Sequence, residues 1–167
     1  MTADNEEDLA LSRRAAAGDS AAFAMLVEKH ERPLRAFLRR MAGTDADDVA
    51  QEAFIKAWRA AAQYDGRARY STWLTRIAWR CRLDQLRGTK PVEAETAAPV
   101  DAPADEVHDM LSRLSEPERA ALVLCDGHGW THVEAAELLG VPSGTLKSTV
   151  ARAKAKCRVM WEGQGDG

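Results

Sequence analysis

The chain has 167 residues, a formal net charge of −3, 46% hydrophobic residues and 29% charged residues. That apolar content suffices for one ordinary domain or two small ones. A pI near 5.8 excludes a protein that coats nucleic acid indiscriminately, so any nucleic-acid binding must come from local patches.

The first eight residues, Met1 to Asp8, are acidic and lack the basic start and apolar run of a signal peptide. No apolar run is long enough to cross a membrane. Cys81, Cys125 and Cys157 are widely spaced without a CxxC, which fits a reducing compartment. The expected location is cytoplasmic, with no direct membrane insertion. Leu9 to Ala17 reads as a short helix stopped by Gly18. Asp19 then caps a longer one through Phe23, Leu26, Val27, Leu34, Phe37, Leu38 and Met41. Pro33 falls inside that pattern and is expected to kink or split it near Glu31, because proline lacks the backbone donor and crowds the preceding turn. Gly43 ends the element.

The next segment, Thr44 to Arg59, opens with Thr44 as candidate N-cap and Asp45, Asp47 and Asp48 in its first turn, where the helix dipole favours negative charge. Val49, Ala50, Ala53, Phe54, Ala57 and Trp58 recur at helical spacing and predict a buried side. The other face carries Asp47, Asp48, Gln51, Glu52 and Lys56. After a break at Tyr64-Asp65-Gly66, the segment Tyr70 to Arg87 has an inward stripe of Leu74, Ile77, Ala78 and Cys81. Its outward stripe is Arg76, Arg80 and Arg87, with Trp73 and Trp79 close by. Seven Lys/Arg against two acids between Tyr64 and Lys90 give a local +5 in an acidic chain. Such an excess beside tryptophans suits nucleic-acid backbone and unstacked bases; a solvated helix face has the same composition.

Residues 8 to 88 thus form an all-helical unit of about four helices. From Gly88 to Glu106 the composition changes to three prolines, many alanines, one Lys and five acids. This stretch cannot bury enough apolar surface to offset its ordering entropy and reads as a flexible acidic linker, residues 89 to 106.

A second helical unit, 107 to 162, follows. Val107, Met110, Leu111 and Leu114 share one helix. Ser115 caps the next, which carries Glu116, Pro117 and Glu118 at its start and runs to Gly127. Thr131 and Glu134 form a capping-box pattern, and a turn at Gly140 leads into a helix opened around Pro142 to Gly144. Helix, short turn and helix make a helix-turn-helix pattern. Its second helix, Ser143 to Arg158, holds Lys147, Arg152, Lys154, Lys156 and Arg158 and no acid.

Two long runs now carry a family resemblance. DADDVAQEAFIKAWRA followed by YDGRARYSTWLTRIAWRCRLDQLR resembles domain 2 of the extracytoplasmic-function group of bacterial sigma factors. SEPERAALVLCDGHGWTHVEAAELLGVPSGTLKSTVARAKAKCR resembles domain 4 of the same group. The resemblance implies an all-α chain of two small helical domains, and an alternative sigma factor that directs core RNA polymerase to particular promoters. It implies that Asp47, Asp48, Gln51 and Glu52 dock on the clamp helices of the polymerase β′ subunit. It further implies that Tyr64, Arg67, Arg69, Ser71, Arg76, Trp79, Arg80, Leu83 and Arg87 open and read the −10 promoter element. In domain 4 it places Ser143, Thr145, Lys147, Ser148, Thr149, Arg152 and Lys154 on the −35 element, with a contact to the β flap. The linker would run through the polymerase towards its active-site cleft, and a separate anti-sigma factor would hold the protein inactive. Arg80 stands where many members have an asparagine that helps form the pocket for an extruded base, and Thr149 stands where many have arginine.

A stand-alone helix-turn-helix repressor with a helical ligand-binding or dimerisation domain would explain residues 107 to 160 equally well, but leaves the acidic and basic helices of the first unit without a role. No Ser-His-Asp pattern, phosphate-cradling glycine loop or dinucleotide fingerprint points to an enzyme. Cys125, His128 and His132 have metal-like spacing without an evident fourth ligand, so neither metal nor cofactor is expected. His30 and His108 are expected at the surface.

Overall fold

The computed structural model describes residues 2–42, 45–88 and 106–164, and every regular element among them is helical. Helices α1 (Ala3–Ala16), α2 (Ser20–Ala42), α3 (Ala46–Arg59) and α4 (Tyr70–Gly88) form one compact unit; α5 (Glu106–Ser112), α6 (Glu116–Leu122), α7 (His132–Leu139) and α8 (Ser143–Gln164) form a second. The expected linker lies, except for Glu106, outside the described residues, as do Gly43 and the Thr44 cap.

In the first unit each helix packs on the next, and α4 closes back onto α2 and α1. Leu26, Leu34, Phe37, Leu38 and Met41 of α2 meet Val49, Ala50, Ala53 and Ala57 of α3 and Leu74, Ala78 and Cys81 of α4 in one core. Ala50, Ala53 and Ala57 of α3 are completely buried, which leaves room for its neighbours to approach closely. Each large aliphatic or aromatic side chain buried here contributes roughly 1.5–3 kcal/mol relative to exposure.

Three expectations change. Pro33 does not split α2, which runs unbroken from Ser20 to Ala42. The proline ring lies at the exposed surface, so the lost backbone bond falls on the solvent side of the helix. Helix α1 starts at Ala3 rather than Leu9, with the Thr2 side chain accepting from the Asn5 N–H. Its buried residues include Asn5, Asp8 and Ser12, so the early turns carry no apolar periodicity for a reader of the sequence to find. His30, expected outside, is buried between Asp8 and the Tyr70 ring.

The second unit is built on α8, whose inward residues Leu146, Val150 and Ala153 pack against α6 and α7. Thr131 and Glu134 form the predicted capping box at the start of α7, and the predicted Ser115 cap of α6 is likewise a full capping box with Glu118. The segment after α6 was expected to continue as an ordinary helix, yet Val123–Gly127 forms a π-helical turn closed by the Trp130 N–H on the Leu124 carbonyl. Leu114, expected on α5, lies just beyond it and is buried. Gly140 takes the left-handed conformation, φ 68°, that ends α7 and leaves only a short turn before α8.

Candidate nucleic-acid interface

Helix α3 presents the acidic face. Asp47, Asp48 and Gln51 are exposed and Glu52 is half-buried. Their surroundings differ. Asp47 accepts from the Arg35 guanidinium of α2 at 2.6 Å, and Glu52 pairs with Lys56 at 3.2 Å, whereas Asp48 has no ion pair among the described residues. Ile55, one turn beyond Gln51 on the same side, is 46% exposed. The face therefore has an apolar centre beside a carboxylate.

The connection from α3 to α4 carries the basic patch. A 3-10 turn, Ala61–Gln63, leads to Asp65, whose carboxylate accepts from the Arg67 N–H at 3.0 Å, and to Gly66 at φ 77°. This turn throws Arg67 and Arg69 outward, both exposed. On α4, Arg80 and Arg87 are exposed, Arg76 and Leu83 half-buried, and Ser71 half-buried at the first turn. Arg76, Arg80 and Arg87, four and seven residues apart, share one side of the helix, and Arg67 and Arg69 precede it in the loop.

Two residues expected on that surface are inside instead. Trp79 is 7% exposed, because the buried side of α4 is wider than the Leu74, Ala78 and Cys81 stripe. Thr72, two turns earlier on Trp79's own side, is completely buried as well. Tyr64 is 4% exposed, and its hydroxyl donates to Asn5 Oδ1 at 2.7 Å. Burial pushes its pKa up to about 12, so it remains a neutral donor. Its ring meets Tyr70 edge-on at 5.1 Å and Trp73 at 5.3 Å. Trp73, half-buried, is the more exposed of the two tryptophans of α4.

Below this aromatic wall lies a polar cluster that the sequence did not reveal. Asp8, with its side chain only 3% exposed, bonds Lys29 Nζ at 2.8 Å and His30 Nε2 at 3.0 Å. Lys29 also pairs with Asp4 and with Glu7. Burial pulls the Lys29 pKa down, but these carboxylates outweigh it and hold the ammonium charged. His30 behaves oppositely, since its burial outweighs the nearby carboxylate and lowers its pKa below the ordinary 6.5.

In the second unit, Ser143, Thr145, Lys147, Ser148 and Arg152 are exposed, with Thr149 half-buried. The Ser148 and Thr149 hydroxyls donate back to the Gly144 and Thr145 carbonyls at 2.8 Å each. Lys154 is exposed but bonded to Asp126 of the π turn at 2.9 Å, and Lys156 to buried Glu118 at 2.8 Å. Two of the five cations of α8 are thus engaged within the fold, while Lys147 and Arg152 face solvent without an ion pair among the described residues. Among the described residues no group of His, Cys, Asp or Glu could hold a metal ion, and no helix is long and apolar enough to cross a membrane.

Residues 26–91 match the family model of sigma-70 region 2, and residues 104–157 match that of sigma-70 region 4. The RNA polymerase sigma factor NccH of Alcaligenes xylosoxydans xylosoxydans is 36% identical over 94% of this chain and 96% of its own. The chain belongs to the extracytoplasmic-function group of the sigma-70 family. The ECF RNA polymerase sigma factor SigM of Mycobacterium tuberculosis is 39% identical, covering 84% of this chain and 77% of SigM. The structure of CnrH in complex with the cytosolic domain of CnrY superposes with a TM-score of 0.71 at 29% identity, over 96% of this chain and 99% of CnrH. These full-length likenesses displace the stand-alone repressor reading. In this sigma factor, α3 and α4 fall inside region 2 and α8 begins inside region 4 and runs on past residue 157, while all of α1 precedes the region 2 match.

Proposed function

We propose that this sigma factor docks on core RNA polymerase through the outward face of α3 and reads promoter DNA with two separate basic surfaces. Region 2 would occupy residues 8 to 88 and region 4 residues 107 to 162. The observation that carries this reading is the division of charge on the first unit: exposed acids on α3, and exposed Arg67, Arg69, Arg80 and Arg87 on the loop and helix that follow. One surface suits a basic or mixed protein helix, the other suits opened DNA. Asp48, Gln51 and Glu52 form the docking centre, with Asp47 at its edge. The −10 surface consists of Arg67, Arg69, Ser71, Arg76, Arg80, Leu83 and Arg87, with Trp73 taking the stacking role first expected of Trp79. Base stacking contributes roughly 1–3 kcal/mol per base, enough to hold an extruded base but not to melt a duplex without polymerase. The direct test is run-off transcription with purified core enzyme on promoters of the native host. Core enzyme with this protein should start transcripts that core alone does not; no gain in specific transcripts would overturn the reading.

Helix α8 takes the −35 element. Ser143, Thr145, Lys147, Ser148 and Thr149 lie in its first two turns, where a recognition helix reaches bases, while Arg152 lies further along towards phosphates. With their protons turned back onto the helix, Ser148 and Thr149 offer lone pairs, which suit the amino groups of adenine or cytosine in the major groove. Lys147→Ala is expected to reorder the affinity ranking of −35 variants. Arg152→Ala should instead weaken all of them about equally and lower the salt slope by about 1. Lys154→Ala should do less than Arg152→Ala, because Asp126 already occupies its ammonium. Binding isotherms on a panel of −35 duplexes at several salt concentrations distinguish these outcomes.

Control by a separate anti-sigma protein completes the reading, with the complex acting in the cytoplasm. CnrH, matched along its whole length, was solved bound to a domain of a second protein. A partner covering α3 would block polymerase and silence the factor. Copurification from the native host at low salt, followed by competition with core enzyme, tests this.

A further inference from the structure

Helix α1 lies before the matched region 2, yet it buries three polar side chains, two of which, Asn5 and Ser12, bond the connection between α3 and α4. Asn5 and Ser12 are seven residues apart, so they share one side of the helix. Asn5 Nδ2 donates to the Gly66 carbonyl at 2.8 Å, and Ser12 Oγ donates to the Ala61 carbonyl at 3.0 Å. Two turns of α1 therefore hold both ends of the connection between α3 and α4.

The grip on the Gly66 end is reinforced. Asn5 Oδ1 accepts from the Tyr64 hydroxyl, which also lies 2.9 Å from the Ala68 carbonyl. Leu9 packs so closely on Gly66 that a Cβ there would meet its Cδ2 at 2.9 Å, and the φ of 77° already disfavours any other residue. Asn5 is 7% exposed and Ser12 1% exposed, so neither can touch DNA. What they hold is the backbone that carries exposed Arg67 and Arg69.

We propose that Asn5 and Ser12 are positioning residues for −10 recognition: α1 acts as a clamp that fixes the Asp65 to Arg69 loop in the shape that presents its arginines to the opened strand. This inference rests on the assignment of Arg67, Arg69 and Arg80 to the −10 element. A loop held at its backbone loses little entropy when DNA binds, so its side chains discriminate among bases more sharply than those of a loop that must first order. A helix outside the matched region would then tune promoter choice without a single DNA contact.

The experiment uses holoenzyme reconstituted from core polymerase and full-length Asn5→Ala, Ser12→Ala, Arg80→Ala or Leu11→Ala. Leu11 is a buried apolar residue of α1 whose side chain has no polar atom to bond the loop, and it serves as a control for general destabilisation. The readouts are core affinity, duplex affinity for the −35 element, and permanganate-detected opening on a panel of −10 variants. Asn5→Ala should leave the first two unchanged and cut discrimination among −10 variants by about tenfold, as expected for losing buried hydrogen bonds. Ser12→Ala should do so more weakly. Leu11→Ala should lower the melting temperature while preserving −10 ranking. Equal loss of discrimination in Leu11→Ala, or none in Asn5→Ala and Ser12→Ala while Arg80→Ala is impaired, would overturn the clamp. If Arg80→Ala too were unimpaired, the −10 assignment itself would fall. Should Asn5→Ala not fold, Ser12→Ala and amide exchange of residues 65 to 69 in that variant carry the decision, with unchanged exchange and ranking counting against the clamp.

Discussion

Reversing the charge of Asp48 and adding a positive charge at Gln51, Asp48→Lys with Gln51→Lys, is expected to weaken binding to core polymerase by about 100-fold, since like charges forced together across an interface oppose association by several kcal/mol. Both positions are exposed on α3 and their side chains take no part in the core, so far-UV circular dichroism of the free protein should be unchanged. Exposed Ile55 on the same side supplies the apolar contact that a charged rim surrounds, an arrangement typical of protein interfaces. Asp47→Ala should have a smaller effect, because the Arg35 guanidinium already engages that carboxylate. Glu52→Lys falls between them, as it also sets a new cation against Lys56. Fluorescence anisotropy of labelled protein titrated with core enzyme measures all three. An unaltered dissociation constant for the double variant would remove α3 from the docking surface. Weakening that grows as salt is lowered would show that the new lysines meet basic polymerase residues.

Most of the architecture was legible because it rests on strong local signals. The Ser115/Glu118 and Thr131/Glu134 capping boxes, the Gly140 turn and the apolar spacing of α2, α3 and α8 each specify an element without help from distant residues. Their order, with an acidic helix before a basic one and a helix-turn-helix after a linker, then carried the family. What stayed hidden depended on contacts between residues far apart in sequence. Asn5, Asp8 and Ser12 look like solvent-facing residues of an acidic leader, and only the arrival of Gly66, His30, Lys29 and Ala61 makes them interior. Trp79 was misread for a related reason. A threonine at position 72 disguised the second buried stripe of α4, so the tryptophan looked like part of the arginine face. The same limit applies to Lys154 and Lys156: counting charge along α8 gives five cations, but Asp126 and Glu118 come from elsewhere in the fold to meet two of them.

Removing the carboxylate at the centre of that hidden cluster is expected to have the largest effect on stability. Asp8→Ala leaves the Lys29 ammonium with only its exposed partners Asp4 and Glu7 and leaves His30 without its hydrogen bond, and breaking a buried charge network in this way destabilises by about 3 kcal/mol. The pH response follows from the sign of the His30 shift. Its pKa in the folded protein lies below the ordinary 6.5, so at intermediate pH the unfolded chain binds more protons than the folded one. This contribution is therefore fully present above pH 6.5 and is lost as pH falls from there towards the folded pKa. Glu118 in the second unit shifts the other way in chemical type but with the same sign of consequence. The Lys156 ammonium lowers its pKa below 4.5, so its contribution survives until lower pH. Acidification should thus weaken the first unit before the second. In Asp8→Ala, loss of the carboxylate that favours charged His30 lowers the imidazole pKa further and extends the acid-sensitive range downwards. Thermal unfolding followed by tryptophan fluorescence and by amide exchange resolved to each unit, from about pH 8 to about pH 5, checks both parts. Equal acid sensitivity of the two units in that range, or a variant as stable as the parent, would show that the Asp8 cluster does not hold α1 to α2 as its geometry indicates.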